Sequence, residues 1–328
     1  MSADGSVLAG LAQANITPPV GYSHYRGVST GVDDSLYARA IVVGKDEHRF
    51  AVVICDLLYM DRSTTTKARS IASEKTGIPF SNIMIAATHN HTGPSYNSYI
   101  DELNQSLRPA SYVAPKTQMG LDYPDWLVTQ IAQSVIDADH QAMPAYLESG
   151  TTTVSGLAFN RRYILKDGTV KMNPGIGNPD ILAPAGPVDS TLRLVLIKRR
   201  TDNKPIGCLS NFGLHADTYG GTAFSADFPG LLAKKMEAIY GSGFISIFAN
   251  APCGDINHID VRPGSNIISS DAIAQKLATA IKKAIPTLRR VRNAETGLRS
   301  EIVYVPLQSF SDRDLKWALS RNKPDSLF

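Results

Sequence analysis

The run Ile83-Met84-Ile85-Ala86-Ala87 is apolar at every position and opens at once into Thr88, His89, Asn90, His91, Thr92, Gly93 and Pro94. So short an apolar run, stopped by a Gly-Pro pair, predicts a buried strand that runs into a loop. What precedes it narrows the fold further. Phe50 to Leu58 is rich in Val and Ile and reads as another strand, and Arg62 to Gly77 carries helix formers with Gly77 as a stop and Pro79 beyond. Strand, helix, strand is the arrangement a parallel crossover needs. The chain therefore reads as α/β, and open α/β sheets bind their ligands at the carboxyl ends of such strands.

In an extended backbone the side chains at i and i+2 share a face, so His89 and His91 are expected to project together at the strand end. A paired imidazole there suits a divalent metal, zinc above all, with one neutral ring ligating while its neighbour handles a proton or a substrate oxygen. The competing reading is two polar strand-end residues hydrogen-bonded to backbone.

Val7 to Ile16 reads as an entry strand, stopped by Thr17, Pro18 and Pro19, and Ala38 to Gly44 pairs with Phe50 to Leu58 as a hairpin. The polar, glycine-dotted segment Tyr22 to Asp34, with His24 and Arg26, reads as solvated loop, and Ser95 to Gly120 as a long loop or lid. Asp125 to Asp139 places Leu127, Ile131, Val135 and Ile136 on one helical face. Arg161 and Arg162 follow the β-like stretches Tyr146 to Val154 and Gly156 to Phe159, and Arg161 offers the fixed fork of donors that suits an anion or oxyanion. The strands Leu192 to Ile197 and Ile206 to Phe212 come next, and His215 past the second is a natural source of a third imidazole. Helix Leu231 to Tyr240 leads to strand Phe244 to Ala249 and a third polar loop, Asn250 to His258, whose Asn257 and His258 are candidate substrate contacts. Helix Asp271 to Ile285, strand Glu301 to Leu307 and helix Ser311 to Leu319 complete the reading. With no internal repeat and no composition shift marking a linker, residues 1–328 form one domain.

Composition excludes classes and does not choose a chemistry. Hydrophobic residues make up 43%, charged residues 19%, and the formal net charge is +3, as in ordinary soluble globular proteins. No basic block argues for nucleic acid; Lys198, Arg199 and Arg200 read as a solvated hairpin end. Cys55, Cys208 and Cys253 form neither a disulfide framework nor a zinc ribbon. Cys55 and Cys208 fall in apolar runs as small core residues, whereas Cys253 lies outside one. No run is long enough to span a membrane, though transient contact with a membrane surface is compatible with the chain. Met1 to Gly5 lacks a basic-then-apolar leader, but a removed leader would leave the same start, so the compartment stays open.

Thr88, His89, Asn90, His91, Thr92, Gly93 and Pro94 resemble the Thr-His-x-His-Ser/Thr-Gly-Pro signature of the neutral, non-lysosomal ceramidases. Supporting matches follow in order: Asn160 and Arg161; Asn211, Phe212 and His215; Gly254 and Asp255. Asn15 to Pro18 and Gly21 are similar to the family's start, so the resemblance covers nearly the whole chain. It implies mixed β-sheets packed between helices in α-β-β-α layers. It also implies a zinc-dependent amidohydrolase that cleaves an N-acyl amide, a ceramide or a ceramide-like lipid, with metal-activated water. His89 and His215 would be zinc ligands, and His91 and Arg161 would line the site as its catalytic residues.

The departures carry weight as well. The family completes its zinc site with a downstream glutamate in a Pro-Gly-Glu-like context and a tyrosine, and neither context occurs here, which implies a chain lacking its C-terminal part. The Gly-Asp-x-Ser-Pro-Asn loop of the family reads Gly254, Asp255, Ile256, Asn257, His258 and Ile259, so a serine nucleophile at that spot is excluded. Two other classes compete with the zinc enzyme: a thiol hydrolase using Cys253 with His258 or His91, and a catalytically inactive metal-bearing binding protein.

Overall fold

The computed structural model describes residues 5–45, 48–96, 122–292, 299–306 and 309–321. Its frame is one strongly coiled mixed sheet. The strands are β1 (Val7–Asn15), β2 (Tyr37–Val43), β3 (Phe50–Cys55), β4 (Ile83–Ala87), β5 (Met143–Thr153), β6 (Thr191–Arg199), β7 (Pro205–Phe212) and β8 (Ile245–Asn250). They lie in the order β8-β7-β6-β5-β1-β2-β3-β4, with the short strand β9 (Arg289–Arg290) pairing β5. Only β3/β4 and β7/β8 pair in parallel; the other neighbours are antiparallel. Each parallel pair is joined by a helix, α1 (Arg62–Thr76) in the first and α3 (Asp227–Tyr240) in the second. The helices α2 (Tyr123–His140) and α4 (Ser270–Ala284) follow β4 and β8 respectively, and α5 (Asp312–Arg321) closes the described chain.

The element order therefore runs twice: two antiparallel steps, a helical crossover to a parallel strand, then a covering helix. No repeat is visible in the residues themselves, because the two halves share topology and burial pattern and not side chains. Alternation along the strands explains the layers. On one face Ala38, Ala40, Val42, Val53 and Cys55 pack against Ala68 and Ala72 of α1 and Leu127, Ile131 and Val135 of α2. In the second half Leu192, Leu194, Leu196, Cys208 and Phe212 meet Phe228, Leu232 and Met236 of α3 and Ile273, Leu277 and Ile281 of α4. The alternate positions Ala9, Leu11, Ile41, Val43, Ile54, Ala145, Ile197 and Ile247 form a third core between the two halves of the sheet. Strand β8 lies against β1, β2, β3 and β4 across that core, so the sheet folds back on itself with helices outside both halves. This is the α/β, α-β-β-α layering expected from sequence.

Local chemistry sets the helix ends. Asp61 caps α1 by accepting from Thr64 N at 2.9 Å, and Gly77, at φ 73°, ends it with its N–H on Ser73 O. Of the later expectations, Ser311 to Leu319 is helical as α5, whereas Glu301 to Pro306 pairs with no strand among the described residues. The lid read into Ser95 to Gly120 lies outside the described residues from Asn97 onward. His24 is a correction: far from solvated, it is 2% exposed and sits against the Phe224 ring. No helix among the described residues is long and apolar enough to cross a membrane.

Helix α2 approaches β1 so closely that a Cβ on Gly10 would lie 1.9 Å from Ala138 O and 2.8 Å from Ala142 N. Backbone atoms cannot give way as a flexible side chain can. Gly10→Ala should therefore destabilise by about 3 kcal/mol, the upper end of usual overpacking costs. An unchanged melting temperature in this variant would show that α2 does not sit where described.

Candidate metal centre

The carboxyl ends of β3, β4, β7 and β8 lie along one edge, and hydrogen bonds stitch their loops together. Thr88 N donates to Cys55 O and Asn90 N to Leu57 O, each at 2.9 Å, which binds the β4 loop to the β3 loop. His91 N donates to Ala216 O at 3.0 Å, and Asn250 Nδ2 donates to Thr88 O and Leu214 O, each at 2.9 Å. Asn90, fully buried, spans the seam: its Nδ2 donates to Ser225 O at 2.7 Å, and its Oδ1 accepts from Thr92 N at 3.0 Å.

Three imidazoles meet on this framework. The Nε2 atoms of His89 and His215 are 3.1 Å apart, those of His91 and His215 3.0 Å, and those of His91 and His89 3.3 Å. The convergence has a different origin from the expected one. The strand stops at Ala87, and His89 adopts φ 65°, so the i, i+2 rule of extended backbone does not apply. The left-handed turn, unusual for a residue other than glycine, is imposed by the flanking backbone bonds and swings His89 toward His215.

Protons decide what the cluster can do. His89 Nδ1 lies 2.9 Å from Leu58 O and His215 Nδ1 3.1 Å from Cys253 O. A carbonyl only accepts, so both Nδ1 atoms carry the proton and both Nε2 atoms present lone pairs. His91 has no such acceptor at Nδ1 among the described residues; its ring meets Tyr25 edge-on, with centroids 5.0 Å apart. Burial holds the His91 imidazole down to about 4, with His215 and His89 acting the same way and Asp217 against them. Burial also lowers His215. Two lone pairs facing each other at 3.1 Å repel unless a cation lies between them. Tetrahedral nitrogen ligands at about 2.0–2.1 Å from a metal are about 3.3–3.4 Å apart, close to the spacings seen here. His89, His91 and His215 could thus hold a metal ion.

The other expected site residues are placed variously. Arg161 donates through Nε and Nη2 to Gly254 O at 3.1 and 2.6 Å, and its charge acts on His215, so it borders the cluster. Asn257 is buried, with Nδ2 donating to Asn173 Oδ1 at 2.8 Å and Oδ1 accepting from Ile259 N at 3.1 Å, so its amide is engaged within the protein. His258 is 8% exposed; no hydrogen bond joins it to the three histidines among the described residues, and Asp227 and Asp217 are its charged neighbours. Sequence reasoning missed Tyr25, Arg26 and Asp217, which lie beside His91, and the two carbonyls that fix the tautomers. A backbone carbonyl has no signature in sequence, and the first three sit in stretches polar enough to pass for solvated loop.

Comparison with known proteins agrees with this architecture. The family model described as "Neutral/alkaline non-lysosomal ceramidase, N-terminal" matches residues 8–261. A neutral ceramidase of Pseudomonas aeruginosa is 25% identical over 273 aligned residues, with 78% of this chain and 38% of that protein covered. The crystal structure of neutral ceramidase from Pseudomonas aeruginosa superposes with a TM-score of 0.66 at 20% identity, covering 88% of this chain and 46% of the other. A ceramidase complexed with C2 gives 0.69 at 21% identity, over 88% and 45%. The chain thus spans less than half the length of each of these relatives.

Cys253, half-buried, has a thiol pushed up by burial, against the opposing pull of Arg161 and Asn250. A nucleophilic cysteine needs the reverse shift. Alkylation by iodoacetamide should be slow at pH 7 and should accelerate as the pH rises past the usual thiol range of about 8.5. Cys55 and Cys208 are fully buried and will not compete for reagent. Rapid labelling of Cys253 at pH 7 would mean a lowered pKa and would favour the thiol-hydrolase reading.

Proposed function

Because the chain belongs to the neutral/alkaline non-lysosomal ceramidase family, we propose that it is a zinc-dependent amidohydrolase acting on an N-acyl amide such as ceramide or a ceramide-like lipid. The observation that carries this reading is the opposed lone pairs of His89 and His215, each held by a proton committed to a carbonyl. Such a donor pair suits a metal; a general base serving a nucleophilic hydroxyl or thiol would need only one such lone pair, not two aimed at each other. Zinc bound there supplies Lewis acidity, lowering the pKa of a water toward about 7 and polarising a carbonyl.

The residues of the chain divide the remaining work. His89 and His215 hold the ion, oriented by Leu58 O and Cys253 O as metal-bound histidines generally are by an acceptor behind the ring. His91, whose Nδ1 lacks such an anchor among the described residues, moves a proton at Nε2, first from the attacking water and then to the departing amine nitrogen. Arg161 is braced on Gly254 O through Nε and Nη2, and among the described residues Nη1 has no acceptor, so this nitrogen can donate to the amide oxygen as charge builds there. Asn257 serves by holding its loop, and His258 borders it. His91 Nε2 lies 3.3 Å from that of His89 and 3.0 Å from that of His215, which supports a second reading, in which His91 is a third ligand.

Purified protein should bind about one zinc per chain, and His89→Ala and His215→Ala should each lose it. The zinc-loaded protein should release fatty acid from a short-chain N-acyl amide and stop on chelation. His91→Ala should keep zinc and lose about a hundred- to ten-thousandfold in turnover if it carries protons. Loss of zinc from that variant would make His91 a ligand. A folded, zinc-loaded protein that cleaves no N-acyl amide overturns the hydrolase reading.

A further inference from the structure

Tyr22 to Asp34 is tied into both histidine-bearing loops. On one side Ser95 N donates to Ser23 O at 3.0 Å and Tyr25 N to Gly93 O at 3.3 Å. On the other Thr30 N donates to Thr222 O at 3.2 Å, Asp33 N to Phe224 O at 2.9 Å, and Gly31–Val32 pairs in parallel with Ala223–Phe224. Between these anchors Tyr25 sets its ring against His91 at 90°, and Arg26 donates through Nη1 to Tyr219 O at 3.0 Å and through Nη2 to Asp217. Asp217 lies two residues beyond His215, and the intervening Ala216 accepts the His91 N–H. The Arg26–Asp217 pair therefore stands next to the cluster.

Neither partner is used up. Among the described residues Asp217 accepts only at Oδ1, and Arg26 Nε has no acceptor. The side chains are 31% and 43% exposed, open enough to meet a ligand. A pair this exposed adds little to stability, so its position beside the site is not explained by folding. An unused N–H and an unused carboxylate oxygen on the two partners of one ion pair select for one chemistry. A carboxylate on the ligand would be repelled by Asp217 and an ammonium by Arg26, whereas a hydroxyl accepts from one and donates to the other.

We propose that Arg26 and Asp217 form the polar wall of the substrate site and read hydroxyl groups on the amine portion of an N-acyl amide. The assignment rests on the amide-hydrolase function proposed above. Tyr25 supplies the adjoining aromatic surface.

The test is equilibrium binding of two non-hydrolysable ketone isosteres, one of a short-chain N-acyl amino-diol and one of the matching N-acyl alkylamine without hydroxyls. Zinc-loaded wild-type protein should bind the diol form about ten- to a hundredfold tighter, the usual worth of hydrogen bonds to charged groups. Arg26→Met and Asp217→Ala should each remove most of that preference while zinc content, melting temperature and affinity for the deoxy form stay the same. A wild-type protein with no preference overturns the proposal, as does a preference that survives in both variants. Equal loss of both ligands with a lowered melting temperature would assign the pair to folding and overturn it too. If the diol preference appears and vanishes as expected but no amide is ever cleaved, the hydrolase reading falls and the wall assignment stands.

Discussion

Two backbone carbonyls, those of Leu58 and Cys253, hold the centre of this molecule in place. By accepting the Nδ1 protons of His89 and His215 they turn two lone pairs toward each other at 3.1 Å, an arrangement no fold would keep for its own stability. Both carbonyls belong to loops at strand ends, one after β3 and one after β8, and the loops are locked by the hydrogen bonds that cross the seam. The buried amide of Asn90 and the side chain of Asn250 are part of that lock. Sheet curvature, the placement of four strand ends along one edge and the left-handed turn at His89 all serve the same end: imidazoles that would otherwise rotate are fixed in one tautomer and one direction.

Much of the frame was legible because burial imposes periodicity. The crossover from β3 through α1 to β4 could be read from Val/Ile-rich runs around a capped helix, and the hairpins from charged turns between such runs. Cys55 and Cys208 were readable as core for the same reason, and both are fully buried. The His-x-His element and His215 stood out as histidines placed just past apolar strands. Their convergence was foreseen, although for the wrong geometric reason: the pair is brought together by a positive φ at His89 and not by an extended backbone.

What escaped the sequence shares a physical cause. Tyr22 to Asp34 is polar along its length because it borders the site, and the same composition marks a solvated loop. Its His24 is buried by Phe224, a residue two hundred positions away whose approach no local pattern announces. The doubled element order is likewise invisible, since the halves need only equivalent burial to repeat a topology, and Leu, Val, Ile and Phe satisfy that need interchangeably. Buried amides such as that of Asn257 look like ligand contacts in sequence because the same donor and acceptor serve a neighbouring Asn173 as well as they would a substrate.

The doubled architecture also sets a schedule. His89 and His91 belong to the first half and His215 to the second, and each half is covered by its own pair of helices. A chain emerging from the ribosome can pack α1 and α2 on the first strands well before His215 is synthesised, and Phe224 and Ala226 complete that core from the second half. The centre cannot exist during that interval, and a nascent first half offers an ion only the pair from a single loop. Any metal held by the three histidines would then be loaded only on docking of the second half, and occupancy of the site would report that both halves had been made, folded and joined.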